Sequence, residues 1–389
     1  MKKIRSLKAV VLCLALGLNA CAPKAEEEHK TAAEKKIEAA KNEEKAESKE
    51  YQGNLDQIYP AAYRDVSGLE LEPGAYISVI GKKSGGEYWK QVEEGAKQAV
   101  ADINELLGYE GKDKVRVTYS GPSADGNVDE QVNILDEELA RYPAGVSIAI
   151  IDAQSCEVQF DLATANGIPI VAFDSASDYQ GLMATVSTDN LGTARMTADK
   201  MAAMMGEGEI VIFAENTKSM SIEERKRGFT EQIEAEHPQI KVSGVYYMDS
   251  LDEIKRLIVQ ENEAEITGED VEAEDTPVDE AAIAEVTDVA ALDYILAKHP
   301  NVRGCFATDG TTVKMVTEAL ARAEKTDAVV VAYDGMPEEI EALENGEIDG
   351  LVVQNPFGMG YASVVAAARA ALGMGNEAYV DTGVTWMER

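Results

Sequence analysis

Histidine is nearly missing from this chain: His29, His237 and His299 are the only three among 389 residues. The first lies in a Lys- and Glu-rich stretch and the others in "EHP" and "KHP" turns, so neither a Cys–His nucleophile nor a His-based metal site is in prospect. Cysteine is scarce too, with Cys13, Cys21, Cys156 and Cys305, which excludes a disulfide framework in a chain long enough to do without one. Basic residues are outnumbered, 36 Lys and Arg against 71 Asp and Glu. The resulting formal net charge of −35 speaks against a nucleic-acid partner, which clustered Lys and Arg would have to hold, and against attraction to anionic lipid. Long apolar runs are absent apart from residues 9–18, too short to span a bilayer. No P-loop, dinucleotide fingerprint, Ser-His-Asp spacing or amino-terminal helix-turn-helix occurs, so the expectation is no enzyme, no cofactor and no repressor.

What is present begins with Lys2, Lys3 and Arg5 ahead of that short apolar run, the pattern of a secretory signal peptide over residues 1–20. It ends in Leu18-Asn19-Ala20-Cys21, which resembles the lipobox of bacterial lipoproteins, although Asn19 stands where a smaller residue is commoner. The resemblance implies that Cys21 is lipidated and anchors an extracytoplasmic protein to the cell membrane. Residues 21–50 are dominated by Lys, Glu and Ala, without an apolar stripe, and read as a solvated tether.

Beyond residue 50 the pattern changes. Apolar runs at 76–80, 115–119, 146–151, 168–173, 209–213, 242–247, 304–307, 329–333 and 350–353 alternate with helical patterns such as 89–107, 129–139, 156–165, 191–205 and 222–236. Strands separated by helices predict parallel sheets covered on both faces, an α/β fold. About 340 residues exceed one hydrophobic core and point to two lobes. An internal repeat agrees: "YISVIGKKSGGEYWKQVEEGAKQAV" and "EIVIFAENTKSMSIEERKRGFTEQI" share a strand, a polar loop and a helix with Gly95 and Gly228 at one position, and "GIPIVAFDS" and "DAVVVAYDG" both end aromatic-Asp. Doubly wound sheets bind ligands at the carboxyl ends of their strands.

These segments, with "VSIAIIDAQ", "VSTDNLGTARMTADKM", "VRGCFATDGTTVKMVTEAL", "IDGLVVQNPFGMGYASV" and "VDTGV", resemble in order and spacing the type I periplasmic binding proteins of the ribose and galactose class, over residues 73–386. The resemblance implies two similar doubly wound parallel-sheet lobes joined by a three-crossing hinge near 188–189, 354–355 and 381–383. The amino-terminal lobe is then 73–188 plus 355–381, and the carboxyl-terminal lobe 189–354 plus 382–389. Cys156 and Cys305 are expected as free or buried thiols in loops facing the space between the lobes.

It also implies a solute receptor that delivers a monosaccharide or amino sugar to an ABC permease, working as a monomer. A nucleoside or cationic solute, or a chemosensory partner, would use the same cleft. Carried over position by position, Tyr88 and Trp89 become aromatic walls for the apolar face of a sugar ring. Lys82, Asp152 and Asp174 supply polar contacts from the first lobe, and Asp309, Asp334 and Gln354 from the second. The family often follows the aspartate at 174 with an arginine, where this chain has Ser175. It also places an arginine where this chain has Glu223; either Glu223 is an acceptor in the cleft or the alignment slips and Arg225 or Arg227 turns inward. So many carboxylates around one cleft would favour a cationic group or an amino sugar. Residues 261–285 hold 11 acidic residues and no basic one, which predicts a loosely ordered surface insertion; the spacing of a calcium loop is absent and no metal is expected.

Overall fold

The computed structural model describes residues 50–267 and 278–389; the signal segment, Cys21, the tether to residue 49 and the middle of the acidic run at 268–277 lie outside the described residues. The described residues begin with α1 (Gln52–Asp56), β1 (Tyr76–Ile80), α2 (Glu87–Leu107), β2 (Arg116–Ser120), α3 (Val128–Leu139), β3 (Gly145–Ile148), α4 (Glu157–Ala165), β4 (Ile170–Phe173) and β5 (Thr185–Ser187). It continues with α5 (Asn190–Met205), β6 (Gly208–Ala214), α6 (Met220–Glu236), β7 (Ile240–Tyr247), α7 (Leu251–Thr267), α8 (Glu280–Glu285), α9 (Asp288–Lys298) and β8 (Val302–Ala307). The last elements are α10 (Gly310–Arg322), β9 (Val329–Asp334), α11 (Pro337–Asn345), β10 (Gly350–Gln354), α12 (Pro356–Ala371), β11 (Tyr379–Asp381) and β12 (Val384–Glu388).

The strands form two six-stranded sheets, ordered β11-β5-β4-β3-β1-β2 and β12-β10-β9-β8-β6-β7. All pairs are parallel except β10 with β12. Central strands such as β3 and β4 are buried at every residue, because helices cover both faces, and this is why they read as continuous apolar runs. The two repeated glycines have a packing reason. A Cβ at Gly95 would run into the backbone of Phe357, and one at Gly228 into the backbone of Leu191. The crossings of α2 with α12 and of α6 with α5 therefore bring backbones together only because no side chain intervenes.

The chain changes sheet three times, after β5, after β10 and between β11 and β12. The three passages are bonded to one another. Thr188 Oγ1 donates to Gln354 Oε1 at 2.8 Å, Asn355 Nδ2 donates to the Thr382 carbonyl at 2.9 Å, and the Asp189 N–H donates to Asp381 Oδ1 at 3.4 Å. Residues 51–72, which the sequence resemblance left unassigned, form a strap across the first lobe: Leu55, Ile58, Tyr63, Val66, Leu69 and Leu71 enter its core. Tyr59 pairs with Asp381 through N–H···O bonds of 2.7 and 2.8 Å, and Asn355 Nδ2 also donates to the Asn54 carbonyl at 2.7 Å.

Two expectations need correction. Cys305 is not in a loop but inside β8, fully buried among apolar side chains, where it serves as a small hydrophobe and burial pushes its thiol up to about 12. Cys156 is also buried and free, immediately before α4. The acidic run is helical at both described flanks. Glu261 on α7 accepts hydrogen bonds from Lys298 at 2.8 Å and Tyr294 at 2.7 Å, and α8 buries Ile283, which gives each flank something to pack on.

Candidate ligand-binding site

A cavity of about 550 Å³ lies at the carboxyl ends of strands from both sheets. From the first lobe it takes the β1–α2 loop and the end of β4, and from the second the residue after β6, the start of α6 and the ends of β8, β9 and β10. Loops at strand ends are free to present side chains because the ladder has stopped. Tyr88 and Trp89, in the first turn of α2, meet edge to face at 5.2 Å, and Trp89 leans in turn on Phe173 at 6.4 Å. The Tyr88 hydroxyl donates to Asp174 Oδ2 at 2.9 Å. Burial, followed by the nearby Asp174 and Asp334 carboxylates, raises its pKa well above the usual range, so it remains a donor.

Asp174 and Asp334 end the two aromatic-Asp strands, and both have positive φ, 59° and 92°. Non-glycine residues hold such angles at a cost, and they cluster where a side chain must be aimed. Asp174 receives Lys82 Nζ at 2.8 Å, and the same ammonium donates across the cleft to Ser219 Oγ at 3.0 Å. Ser219 Oγ also lies 3.1 Å from Ser175 Oγ. On the far wall Asp334 accepts from the Gly310 N–H at 2.9 Å and from Gln354 Nε2. Asp309 caps α10, accepting from the Thr311 N–H at 2.9 Å and from the Thr312 hydroxyl. Burial and the neighbouring Asp334 push its carboxyl up to about 6.

Seven of the nine expected ligand residues line this cavity: Lys82, Tyr88, Trp89, Asp174, Asp309, Asp334 and Gln354. Asp152 and Glu223 do not. Both lie on a separate opening of about 520 Å³. Asp152 folds back on its own turn, accepting from the Gln154 N–H at 2.9 Å, as a short carboxylate does in an Asx turn. Glu223 is half exposed and pairs with Lys226 at 2.7 Å, one helical turn away. The inward residue of α6 is Arg225. Its Nε donates to Asn190 Oδ1 at 2.9 Å and its Nη1 to the Thr308 carbonyl at 2.7 Å. Nη1 lies 3.6 Å from Asp334 Oδ1, and the guanidinium sits 4.4 Å over the Tyr333 ring. The open question at 223 is thus decided by helix periodicity: Ile222, Arg225, Phe229 and Ile233 form the buried stripe, and residue 223 is turned roughly 100° off Ile222.

Sequence reasoning missed Glu215, Met336 and Glu339, which also line the cavity. Glu215 had a signal in the repeat, since it follows β6 as Gly81 and Lys82 follow β1. Burial and then Asp309 push Glu215 up to about 8; burial and then Asp334 push Glu339 up to about 7. Among the described residues no group of acidic, His or Cys side chains has the arrangement of a metal site, and no helix is long and apolar enough to cross a membrane.

Two lobes on parallel sheets, three linked crossings and a polar cavity with an aromatic wall define a type I periplasmic binding protein. Residues 77–375 match the model of the periplasmic binding protein domain, and the chain belongs to that family. It is 24% identical over 307 residues to the D-allose-binding periplasmic protein of Escherichia coli K12, covering 75% of this chain and 85% of that one. It is 22% identical over 318 residues to the D-apiose import binding protein of Actinobacillus succinogenes, covering 80% and 84%. A carbohydrate transporter solute binding protein from Agrobacterium radiobacter, solved with D-arabinose, superimposes with a TM-score of 0.63 at 27% identity, covering 81% of this chain and 94% of that one. These relatives are named for sugar binding and transport, not for catalysis.

Proposed function

We propose that this protein is an extracytoplasmic solute-binding lipoprotein that captures a monosaccharide-sized polyol between its lobes and delivers it to an ABC permease. The observation that carries the reading is the cavity itself. It has the size usual for small-ligand pockets, a Tyr88–Trp89 wall for the C–H face of a ring, and a rim of Lys82, Asp174, Asp309, Asp334, Arg225 and Gln354 for hydroxyls. The rim comes from both lobes, so a ligand that touches both stabilises the closed arrangement, and closure is what a permease could recognise.

The named relatives, which bind D-allose and D-apiose, support the solute class. The lipobox-like sequence at Cys21 supports attachment to the membrane, with the acidic body held off it as a monomer. A thermal-shift screen across aldoses, ketoses, polyols and nucleosides tests the first part, because a ligand bound only by the native state raises its midpoint. A monosaccharide hit is expected, and a nucleoside as sole hit would replace the sugar reading. Replacing Cys21 with Ser tests the second: the product should leave the detergent phase and lose the mass of the lipid.

A further inference from the structure

Glu215 is the first residue beyond β6, and its side chain lines the cavity. Its backbone N–H is engaged by Thr308 Oγ1 at 3.2 Å, yet among the described residues no hydrogen bond or ion pair holds its carboxyl group. The neighbouring acids are occupied. Asp309 caps α10, Asp334 is held by the Gly310 N–H and Gln354, and Glu339 accepts from the Met336 N–H at 2.6 Å. The cations of the cavity are occupied too: Lys82 pairs with Asp174 at 2.8 Å, Lys83 with Asp125 at 3.2 Å, and Arg225 with Asp334 at 3.6 Å. The cavity lining as a whole carries eight carboxylates against these three cations. Glu215 is partly exposed to the cavity, and a ligand that fills the cavity takes its carboxyl group from water, which is unfavourable unless a donor replaces the water. A donor carried by the ligand meets that need.

We infer that the polyol bound here carries a protonated amino group, seated against the Glu215 carboxylate, so that the ligand class is an amino sugar or amino-substituted polyol. This deepens the solute-binding reading of the cavity and rests on it. The electrostatics agree. Burial, then Asp309, with Asp125 and Asp334 adding and Lys82 opposing, pushes Glu215 up to about 8, which favours its protonated form near neutral pH when no cation lies beside it. An ammonium group displaces that proton and gains a charge-assisted hydrogen bond, about twice as strong as a neutral one. Binding of the cation then releases a proton, and its affinity climbs as pH rises towards the amine's own pKa. A neutral sugar accepting from protonated Glu215 would bind less well over the same range.

The experiment is titration calorimetry on the purified chain with paired probes: D-glucosamine, D-galactosamine, D-mannosamine, 1-amino-1-deoxy-D-fructose and 1-deoxynojirimycin against their neutral hydroxyl and N-acetyl counterparts, at pH 6 and 7.5. A cationic member should bind about tenfold or more tighter than its neutral counterpart. Its affinity should rise between the two pH values, with the ratio falling towards one in Glu215→Gln. The pH slope needs only the unaltered protein, so a poorly folding variant would not rescue the idea. A neutral sugar that binds as tightly as its amine, or a preference that survives Glu215→Gln, overturns the inference and leaves the solute-binding reading standing. If no member of either set binds, the inference fails, and the thermal-shift screen decides the solute-binding reading.

Discussion

Lys82 and Asp174 lie 2.8 Å apart, ammonium to carboxylate, and join the loop after β1 to the end of β4. The residue after Asp174 is Ser175, so the cation that such a carboxylate needs comes from another loop. Because Lys82 also reaches Ser219 on the opposite lobe, it ties ligand geometry to closure. Lys82→Met should weaken ligand binding by roughly 1.5 to 3 kcal/mol, the range for a charged hydrogen bond, measured by calorimetry. Small-angle scattering of the ligand-free variant should show a larger radius of gyration, and an unchanged radius would mean that the link does not bias closure.

Arg225 and Glu223 sit two residues apart on α6 and behave oppositely. Arg225→Ala leaves Asp334 without its cation and the Thr308 carbonyl without its donor. A loss of roughly 3 to 5 kcal/mol of stability is expected for a broken buried pair, together with loss of binding. Glu223→Gln should be nearly silent, within about 0.5 kcal/mol, as for other surface changes. Urea denaturation and ligand titration of both variants decide it, and a binding defect at 223 would return that residue to the site.

The cavity acids also make stability depend on pH. Asp309, Glu339 and Glu215 are raised from ordinary values of 3.8, 4.5 and 4.5 to about 6, 7 and 8. Over that span the folded chain binds more protons than the unfolded chain, so their contribution is intact below about pH 4 and is lost as pH rises towards 8. The ligand-free midpoint should therefore fall between pH 5 and 8. Glu215→Gln should fall less steeply than the parent. Parallel thermal scans of the two proteins isolate this term from the general repulsion of a highly acidic surface, and identical slopes would remove Glu215 from the account.

Asn355 holds the hinge from inside. Its Oδ1 caps α12 by accepting from the Gly358 N–H at 2.9 Å, while its Nδ2 bonds the carbonyls of Asn54 and Thr382. Asn355→Ala should cost about 2 to 3 kcal/mol, one helix cap plus buried carbonyls left unpaired. Hydrogen exchange should quicken at Tyr59 and Asp381, whose backbone pairing anchors the strap. Unchanged exchange there would show that the strap holds without Asn355.

Much of this architecture could be read from the chain. Strands such as "IPIVAF" and "AVVVAYD" announce themselves because a parallel strand covered on both faces has to be apolar throughout, and most of the polar cleft residues stand at the ends of those strands. The buried face of α6 was legible too, since Ile222, Arg225, Phe229 and Ile233 keep a helical period, although positional resemblance drew attention to Glu223 instead. Asp152 was misread for a similar reason: its place at a strand end says nothing about whether the side chain looks outward or folds onto its own turn.

Periodicity and residue type in the chain were enough for the two α/β lobes and the excess of acidic residues, while the aromatic wall of Tyr88 and Trp89 was expected from the resemblance to the family. Only the tertiary structure decided that Lys82 serves Asp174, that Asp309 and Glu339 are taken up as helix caps while Glu215 is left without a donor, and that residues 51–72 strap the hinge. The Lys82–Asp174 pair and the Asn355–Asn54 bond join residues far apart in the chain, which no local pattern reveals. A carboxylate acquires a partner, or fails to, only when the chain around it has closed.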